Sequence, residues 1–375
     1  MREPGGGITR ALDTPQYLGM WGFIESILAV WKHIKGWKLK SDSNVNKNTD
    51  EIMRYQNTGS GFRVTERFFS GNNYLPSIGI AQIHAIVPDI EANKAKIISA
   101  IEIFKDRKVN VAIFPEFALS GYFWEDEEEC RKYMDQAVIE KHADWVNGTL
   151  KSYLDDTLRG IVLNNIRRGH GQKYVNSTYL ITEYSDYLNE ERMYNKIFLP
   201  GIERTYTETG GDDFLIVDSE FGRFGFTTCY DICFAQLVLE YAKIDKVDAI
   251  IEVASWRGLA FRDYPGMNVG TDLYYAALWD MLLSARAATN QVWVIACNAV
   301  GRHGISGATF AGGSGLWAPS GLNLLKASRV NEELLIIHNV DIHGQRAIEK
   351  DDFNYALDFE AIYRPVEGKR AFSRF

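Results

Sequence analysis

The sequence predicts an α/β protein built on two β-sheets, and three observations carry that expectation. From Ser77 onward, short apolar runs alternate with longer amphipathic ones, the grammar of strand, helix, strand. The strand-length runs are too many for one sheet of ordinary size. No internal repeat, low-complexity block or second linker divides residues 78–375, so that stretch reads as one domain.

The elements follow in order. SIGIAQI (77–83) is a short apolar run of strand length, EANKAKIISAIEIFKD (91–106) has helical spacing, and VNVAIFPE (109–116) is a second strand. Further strands are predicted in GIVLNN, STYLITE, DFLIVDS, GRFGFTTC, VDAIIEVAS, VWVIACN, GSGLWAPSG and LLIIHNVDI. Residues 1–77 read as an N-terminal extension. In it Trp21, Ile24, Leu28 and Trp31 recur at helical spacing, predicting an amphipathic helix over 17–37, followed by the polar linker KSDSNVNKNTDE. The apolar face of that helix needs a cover: its own domain, a sister subunit, or a membrane surface suited to Lys35, Lys38 and Lys40 beside Trp31 and Trp37.

Composition excludes several classes. Of 375 residues, 46% are hydrophobic and 24% charged, the averages of folded globular chains. The 41 Lys and Arg against 49 Asp and Glu give a formal charge of −8, and no basic block follows a phosphate backbone, so nucleic acid is not an expected partner. Glu25 interrupts the apolar run from Tyr17 to Trp31 and Lys32 closes it, short of the roughly 18 residues a membrane span needs. Four cysteines, at 130, 229, 233 and 297, form no CxxC pair. A soluble protein of the reducing cytoplasm is expected. HExxH, GxGxxG, Walker and GxSxG motifs are absent, so no metal or nucleotide cofactor is implied. The seven histidines are scattered, and His338 with His343 reads as strand-end decoration.

Three segments carry chemistry. Cys229 ends GRFGFTTC and precedes DICFAQLVLEYAKI, whose Ile232, Leu237, Leu239 and Ile244 suit a helix packed on a sheet. A thiol at such a strand-to-helix turn meets unpaired N–H groups and a positive dipole end, which lower its pKa and cradle an oxyanion; a cysteine there can also be a small packed residue. Glu116 follows a strongly apolar strand beside Phe114 and Pro115, where a carboxylate holds a proton more tightly than in water and serves as a general base. Lys196, in RMYNKIFLPG, is either a snorkelling surface lysine or an inward cation between carboxylate and thiol.

Together these segments resemble the nitrilase superfamily of carbon–nitrogen hydrolases, from about Ile78 to the C-terminus. FPEFALSGY resembles its glutamate motif, YNKIFLPG its lysine motif and TTCYDICF its cysteine motif, in the family's order and with its separations. Residues 174–178, ERTYTETG, VASW, SARAATNQVWVIACNAVG and GGSGLWAPSG add further matches. The resemblance implies a four-layer αββα sandwich over 78–375, pairing into a homodimer or larger homo-oligomer. It also implies a Glu116, Lys196, Cys229 triad, with Glu203 as the family's second glutamate unless it is a plain surface residue. Glu116 would take the thiol proton, Cys229 attack, and Lys196 with the backbone N–H of Tyr230 hold the oxyanion.

The departures bear on substrate. Many relatives read Arg, Phe, Pro, Glu where this chain has Cys233, Phe234, Ala235 and Gln236. Tyr230 and Asp231 after the cysteine resemble amidases and N-carbamoyl hydrolases, where true nitrilases carry Trp and Glu. The expectation is therefore a hydrolase of small amides or N-carbamoyl compounds, acting through a thioester. The alternatives are a nitrilase, a thioester-forming acyltransferase and a catalytically silent assembly protein. Tyr122 and Trp256 are candidate substrate-binding residues, with Phe123, Trp124 and the segment between Trp256 and Trp279 as further pocket walls.

Overall fold

The fold was read from a computed structural model, which describes residues 53–57, 61–69, 75–122, 127–184, 192–211, 214–259, 262–264, 266, 269–272, 274–304, 307–355 and 357. The predicted helix over 17–37 and its linker, together with Phe123 and Trp124, lie outside the described residues.

The first nine described strands are β1 (Met53–Asn57), β2 (Arg63–Phe68), β3 (Ile78–Gln82), β4 (Val111–Ile113), β5 (Gly160–Arg168), β6 (Tyr174–Ile181), β7 (Met193–Asn195), β8 (Ile216–Ser219) and β9 (Gly222–Thr228). The other nine are β10 (Ala249–Ala254), β11 (Arg262–Tyr264), β12 (Val269–Thr271), β13 (Trp293–Asn298), β14 (Val300–Arg302), β15 (Thr309–Ala311), β16 (Gly315–Trp317), β17 (Asn323–Lys326) and β18 (Glu333–His338). One sheet runs β1-β2-β18-β3-β4-β5-β6-β7, a second runs β17-β16-β13-β10-β9-β8, and β11 with β12 and β14 with β15 form two small ribbons. The helices are α1 (Ile90–Asp106), α2 (Glu127–Ala137), α3 (Ala235–Lys243), α4 (Tyr274–Asn290) and α5 (Ile342–Asp352).

Period-2 alternation explains the layering. In β18, Leu335 and Ile337 enter the layer between the sheets while Leu334 and Ile336 face the opposite way, into the cluster that α1 covers with Ile97, Ala100, Ile101 and Phe104. In β10 and β13, Ile251, Val253, Ile295 and Cys297 share the inter-sheet layer, while Ile250, Ala254, Val294 and Ala296 pack with Val238 and Tyr241 of α3 and Trp279 and Leu283 of α4. Strands buried on both faces read as continuous apolar runs, which is why the sequence announced them. The result is helix, sheet, sheet, helix.

One close approach needs a missing side chain. A Cβ on Gly225 of β9 would fall 2.6 Å from Tyr241 Cδ1, so the glycine lets α3 lie directly on the sheet, where the Tyr241 hydroxyl donates to the Phe226 carbonyl at 2.8 Å.

Strands β1 and β2 arise from the stretch assigned above to the extension, so the larger sheet begins ahead of Ser77. Their polar residues hid them. Thr65 Oγ1 donates to Glu333 Oε1 at 2.5 Å, and Glu66 receives Arg107 Nη1 at 2.9 Å and lies 3.1 Å from His338 Nε2. Thr65 and Glu66 are buried through these pairs. His338 and His343 serve different carboxylates, Glu66 and Asp248.

Candidate active site

Strand ends from both sheets deliver the functional side chains. Glu116 follows β4 through Phe114 and Pro115, and the chain then turns through Phe117 at φ +53°. Lys196 directly follows β7, its amide bonded to the Asn176 carbonyl of β6 at 2.9 Å. Glu203 opens a 3-10 turn over Glu203–Thr205. Cys229 follows β9 from the other sheet, at φ +54°, a left-handed conformation that costs a non-glycine residue energy and that tertiary structure must impose.

Lys196 and both glutamates are essentially excluded from solvent. Lys196 Nζ donates to Glu116 Oε1 at 2.8 Å and to Glu203 Oε1 at 2.7 Å. This excludes the snorkelling lysine and the surface glutamate. Asn176 Nδ2 donates to Glu116 Oε1 at 2.7 Å and the Ser255 amide to Oε2 at 2.7 Å, while the Ser255 hydroxyl holds the Glu116 carbonyl at 2.8 Å. Tyr122 Oη donates to Glu203 Oε1 at 3.0 Å. Among the described residues Glu203 Oε2 has no hydrogen-bond partner.

The charges settle how protons are held. Burial opposes the Lys196 charge, but Glu116, Glu203 and Cys229 outweigh it and push the ammonium well above its ordinary pKa. Burial pushes Glu203 up to about 7, against the pull of Lys196, with Glu116 adding to the rise. Burial, then the Glu116 charge, raises the Cys229 thiol well above its ordinary value, with Lys196 pulling the other way.

That last result corrects the expected lowered thiol pKa, and the local fold gives the reason. Cys229 opens a 3-10 turn over Cys229–Cys233, which ends at an extended Phe234 before α3 begins. No long helix starts at the thiol, so its dipole is short and burial prevails. Of the four positions expected on the buried face, Ile232 and Leu237 are buried while Leu239 and Ile244 are exposed; Val238, Tyr241 and Ala242 complete the buried side. A capping box closes the turn: the Thr228 side chain accepts from the Asp231 amide, and Asp231 Oδ2 accepts from the Thr228 amide at 3.1 Å. Arg286 of α4 donates to the carbonyls of Ile232 and Cys233 at 3.0 and 2.8 Å.

Among the remaining predicted positions, Tyr230 sits second in the cysteine turn, its ring edge-on to Phe234. Trp256 follows β10 but is 5% exposed, packs against Trp279 and donates its indole N–H to the Tyr275 carbonyl at 2.8 Å. Its polar end is thus occupied within the fold. Sequence reasoning passed over Ser255, Asp231 as a tether, and Glu252. Glu252 lies wholly buried on β10, its carboxyl pushed well above the usual range by burial, with Thr227 Oγ1 donating at 2.5 Å. The unusual acid in the apolar run AIIEVA was the available signal. Among the described residues no group of three or more His, Cys, Asp or Glu is placed to hold a metal ion, and no helix is long and apolar enough to cross a membrane.

Two facing sheets with helices on both outer faces define a four-layer α/β enzyme scaffold. The chain belongs to the carbon-nitrogen hydrolase family, whose model it matches over residues 77–350. It is 24% identical over 291 residues to a probable nitrilase of Schizosaccharomyces pombe, covering 75% of this chain and 94% of that one. It is 28% identical over 254 residues to a deaminated glutathione amidase of Dictyostelium discoideum, covering 62% and 76%. A CN-hydrolase superfamily protein of Xanthomonas campestris, whose crystal structure carries an arsenic adduct in the active site, has the same fold: TM-score 0.61, 20% identity, 76% of this chain and 96% of that one.

Proposed function

We propose that this enzyme hydrolyses the C–N bond of a small amide or N-carbamoyl compound through a thioester on Cys229. The observation that carries this reading is the buried Lys196 ammonium shared between Glu116 and Glu203 at 2.8 and 2.7 Å, with Cys229 close enough for its thiol to feel all three charges.

Glu116 accepts the thiol proton as Cys229 Sγ bonds to the carbonyl carbon, so no free thiolate has to persist in the buried site. The carbonyl π electrons move to oxygen, where Lys196 and the Tyr230 amide donate hydrogen bonds. Collapse expels ammonia or an amine carrying the proton from Glu116 and leaves the thioester. Glu116 then deprotonates a water that attacks the thioester, and the proton returns to sulfur as the acid departs. Glu203 holds Lys196 against the base and offers Oε2 toward a substrate nitrogen. The name of the Dictyostelium relative supports amide chemistry, as do Tyr230 and Asp231 after the cysteine.

Intact-protein mass spectrometry during incubation with a panel of amides, carbamoyl compounds and nitriles, with ammonia release followed in parallel, tests the proposal. An acyl adduct and ammonia from amides, both lost in Cys229→Ala, are expected. Turnover confined to nitriles moves the reading to nitrile hydrolysis, transfer to added amines without acid product makes it an acyltransferase, and turnover retained in Cys229→Ala rejects the scheme.

A further inference from the structure

We infer that Asn164, in the middle of β5, is a positioning residue that sets the proton affinity of Glu116 by fixing which way the Asn176 amide faces. The inference rests on Glu116 acting as base toward Cys229.

The argument starts from a group that cannot turn. The Phe117 amide can only donate, and it donates to Asn164 Oδ1 at 2.8 Å. Asn164 must therefore direct its NH2 the other way, and Nδ2 lies 2.9 Å from Asn176 Oδ1 and 2.9 Å from Thr178 Oγ1. Asn176, with its oxygen committed, must in turn present Nδ2, which lies 2.7 Å from Glu116 Oε1. Donor direction is thus transmitted from a backbone N–H through two amides to the base. All three side chains are fully buried or nearly so, so no solvent competes for these bonds.

A second arm leaves the same residue. Thr178 accepts from Asn164, and its hydroxyl shares a further hydrogen bond with Thr228 Oγ1 at 3.0 Å, beside the cysteine turn. The first arm ends on the base and the second on the cap of the cysteine turn, so the two can be cut separately.

A hydrogen bond donated to a carboxylate favours its charged form. Glu116 is also faced by Lys196 and Glu203 from the segment after β7, Cys229 from the end of β9, Glu252 from β10, Tyr122, and the Ser255 amide. None of these bonds to Asn164. Asn164→Asp places an acceptor against Asn176 Oδ1, so the Asn176 amide turns over and offers its oxygen to Glu116. The base then holds its proton to higher pH.

The test is the rate of Cys229 alkylation by iodoacetamide from about pH 4 to about pH 9, read by peptide mass spectrometry on the folded full-length protein. The wild type should show an acid limb that Glu116→Gln abolishes. Asn164→Asp should move that limb upward by at least about one pH unit, while Thr178→Val, which cuts only the second arm, should leave it in place. An unmoved limb in Asn164→Asp, or an equal shift in Thr178→Val, overturns the inference alone. A limb that survives Glu116→Gln overturns the functional reading and the inference with it. Should Asn164→Asp not fold, Asn164→Ser, whose hydroxyl is too short to orient Asn176, takes its place with the same upward shift expected and an unmoved limb equally fatal.

Discussion

Asp231 accepts the Tyr194 hydroxyl at 2.7 Å, and this bond joins the lysine-bearing segment to the cysteine turn. The same carboxylate takes the Phe198 amide on Oδ1 at 2.8 Å and the Thr228 amide on Oδ2 at 3.1 Å. Tyr194 and Phe198 flank Lys196; Thr228 precedes Cys229. One buried side chain therefore ties the segment that carries Lys196 to the turn that carries Cys229.

Asp231→Ala strands the buried Thr228 amide, the part-buried Phe198 amide and the buried Tyr194 hydroxyl. A loss of about 2–4 kcal/mol in stability is expected, with at least about a tenfold fall in turnover from misplaced groups. Tyr194→Phe removes one bond and should cost about 1 kcal/mol. Urea denaturation and ammonia release read both, and an Asp231→Ala protein as stable as wild type would contradict the tether.

Removing the cation between two buried carboxylates should be worse. Lys196→Met is expected to lose about 3–5 kcal/mol and essentially all activity. At a pH high enough to ionise Glu203 without the pull of Lys196, adding Glu203→Gln removes one uncompensated charge and should recover part of the stability but none of the turnover. No recovery in the double variant would mean that Glu203 is not charged beside Glu116.

The pH dependence of stability follows from Glu203, whose folded pKa rises from 4.5 to about 7. The native protein then binds more protons than the unfolded chain between those values, so this contribution is fully present below about pH 4.5 and is lost as pH rises through about 7. Asp231, raised by burial to about 6, acts in the same direction over a lower window. Glu203→Gln should flatten the decline between about pH 5 and about pH 8 by up to about 3 kcal/mol. Parallel denaturation curves for wild type and variant across that range would rule out the raised carboxyl.

Gly225→Ala drives a methyl into the Tyr241 ring. Overpacking of this kind costs about 1–3 kcal/mol, and the displaced ring should give up its bond to Phe226 O, three residues before Cys229. Activity should fall along with stability, whereas Gly148→Ala, where a Cβ meets nothing within 4 Å, serves as the neutral control for both.

The strands around the core were legible because burial on both faces makes each a largely apolar run, as in the VWVIAC of VWVIACN and the LLII of LLIIHNVDI. β2 was not, since RVTERF buries Thr65 and Glu66 through partners more than 40 residues away along the chain, and local pattern carries no such pairing. Glu116, Lys196 and Cys229 were singled out by residue type in context, and the fold buries all three. The Glu203 contact with Lys196 depends on the 3-10 turn that carries it, and Asn164, although within the predicted strand GIVLNN, bonds to Phe117, Asn176 and Thr178 across segments that local pattern does not relate. The extended break at Phe234 has no glycine or proline to announce it, so α3 was started too early; Ile232 and Leu237 were placed rightly in the core, Leu239 and Ile244 were not.

The seam between the sheets has a mechanical meaning. Glu116 and Lys196 hang from one sheet, Cys229 and Ser255 from the other, and the apolar layer between them acts as the spacer that gauges how far the Glu116 carboxyl stands from the Cys229 sulfur. Phe226, Ile251 and Ile80 lie in that layer, and a change in their volume slides the sheet that carries Glu116 and Lys196 past the one that carries Cys229. Variation there should tune rate more finely than variation at the pocket rim.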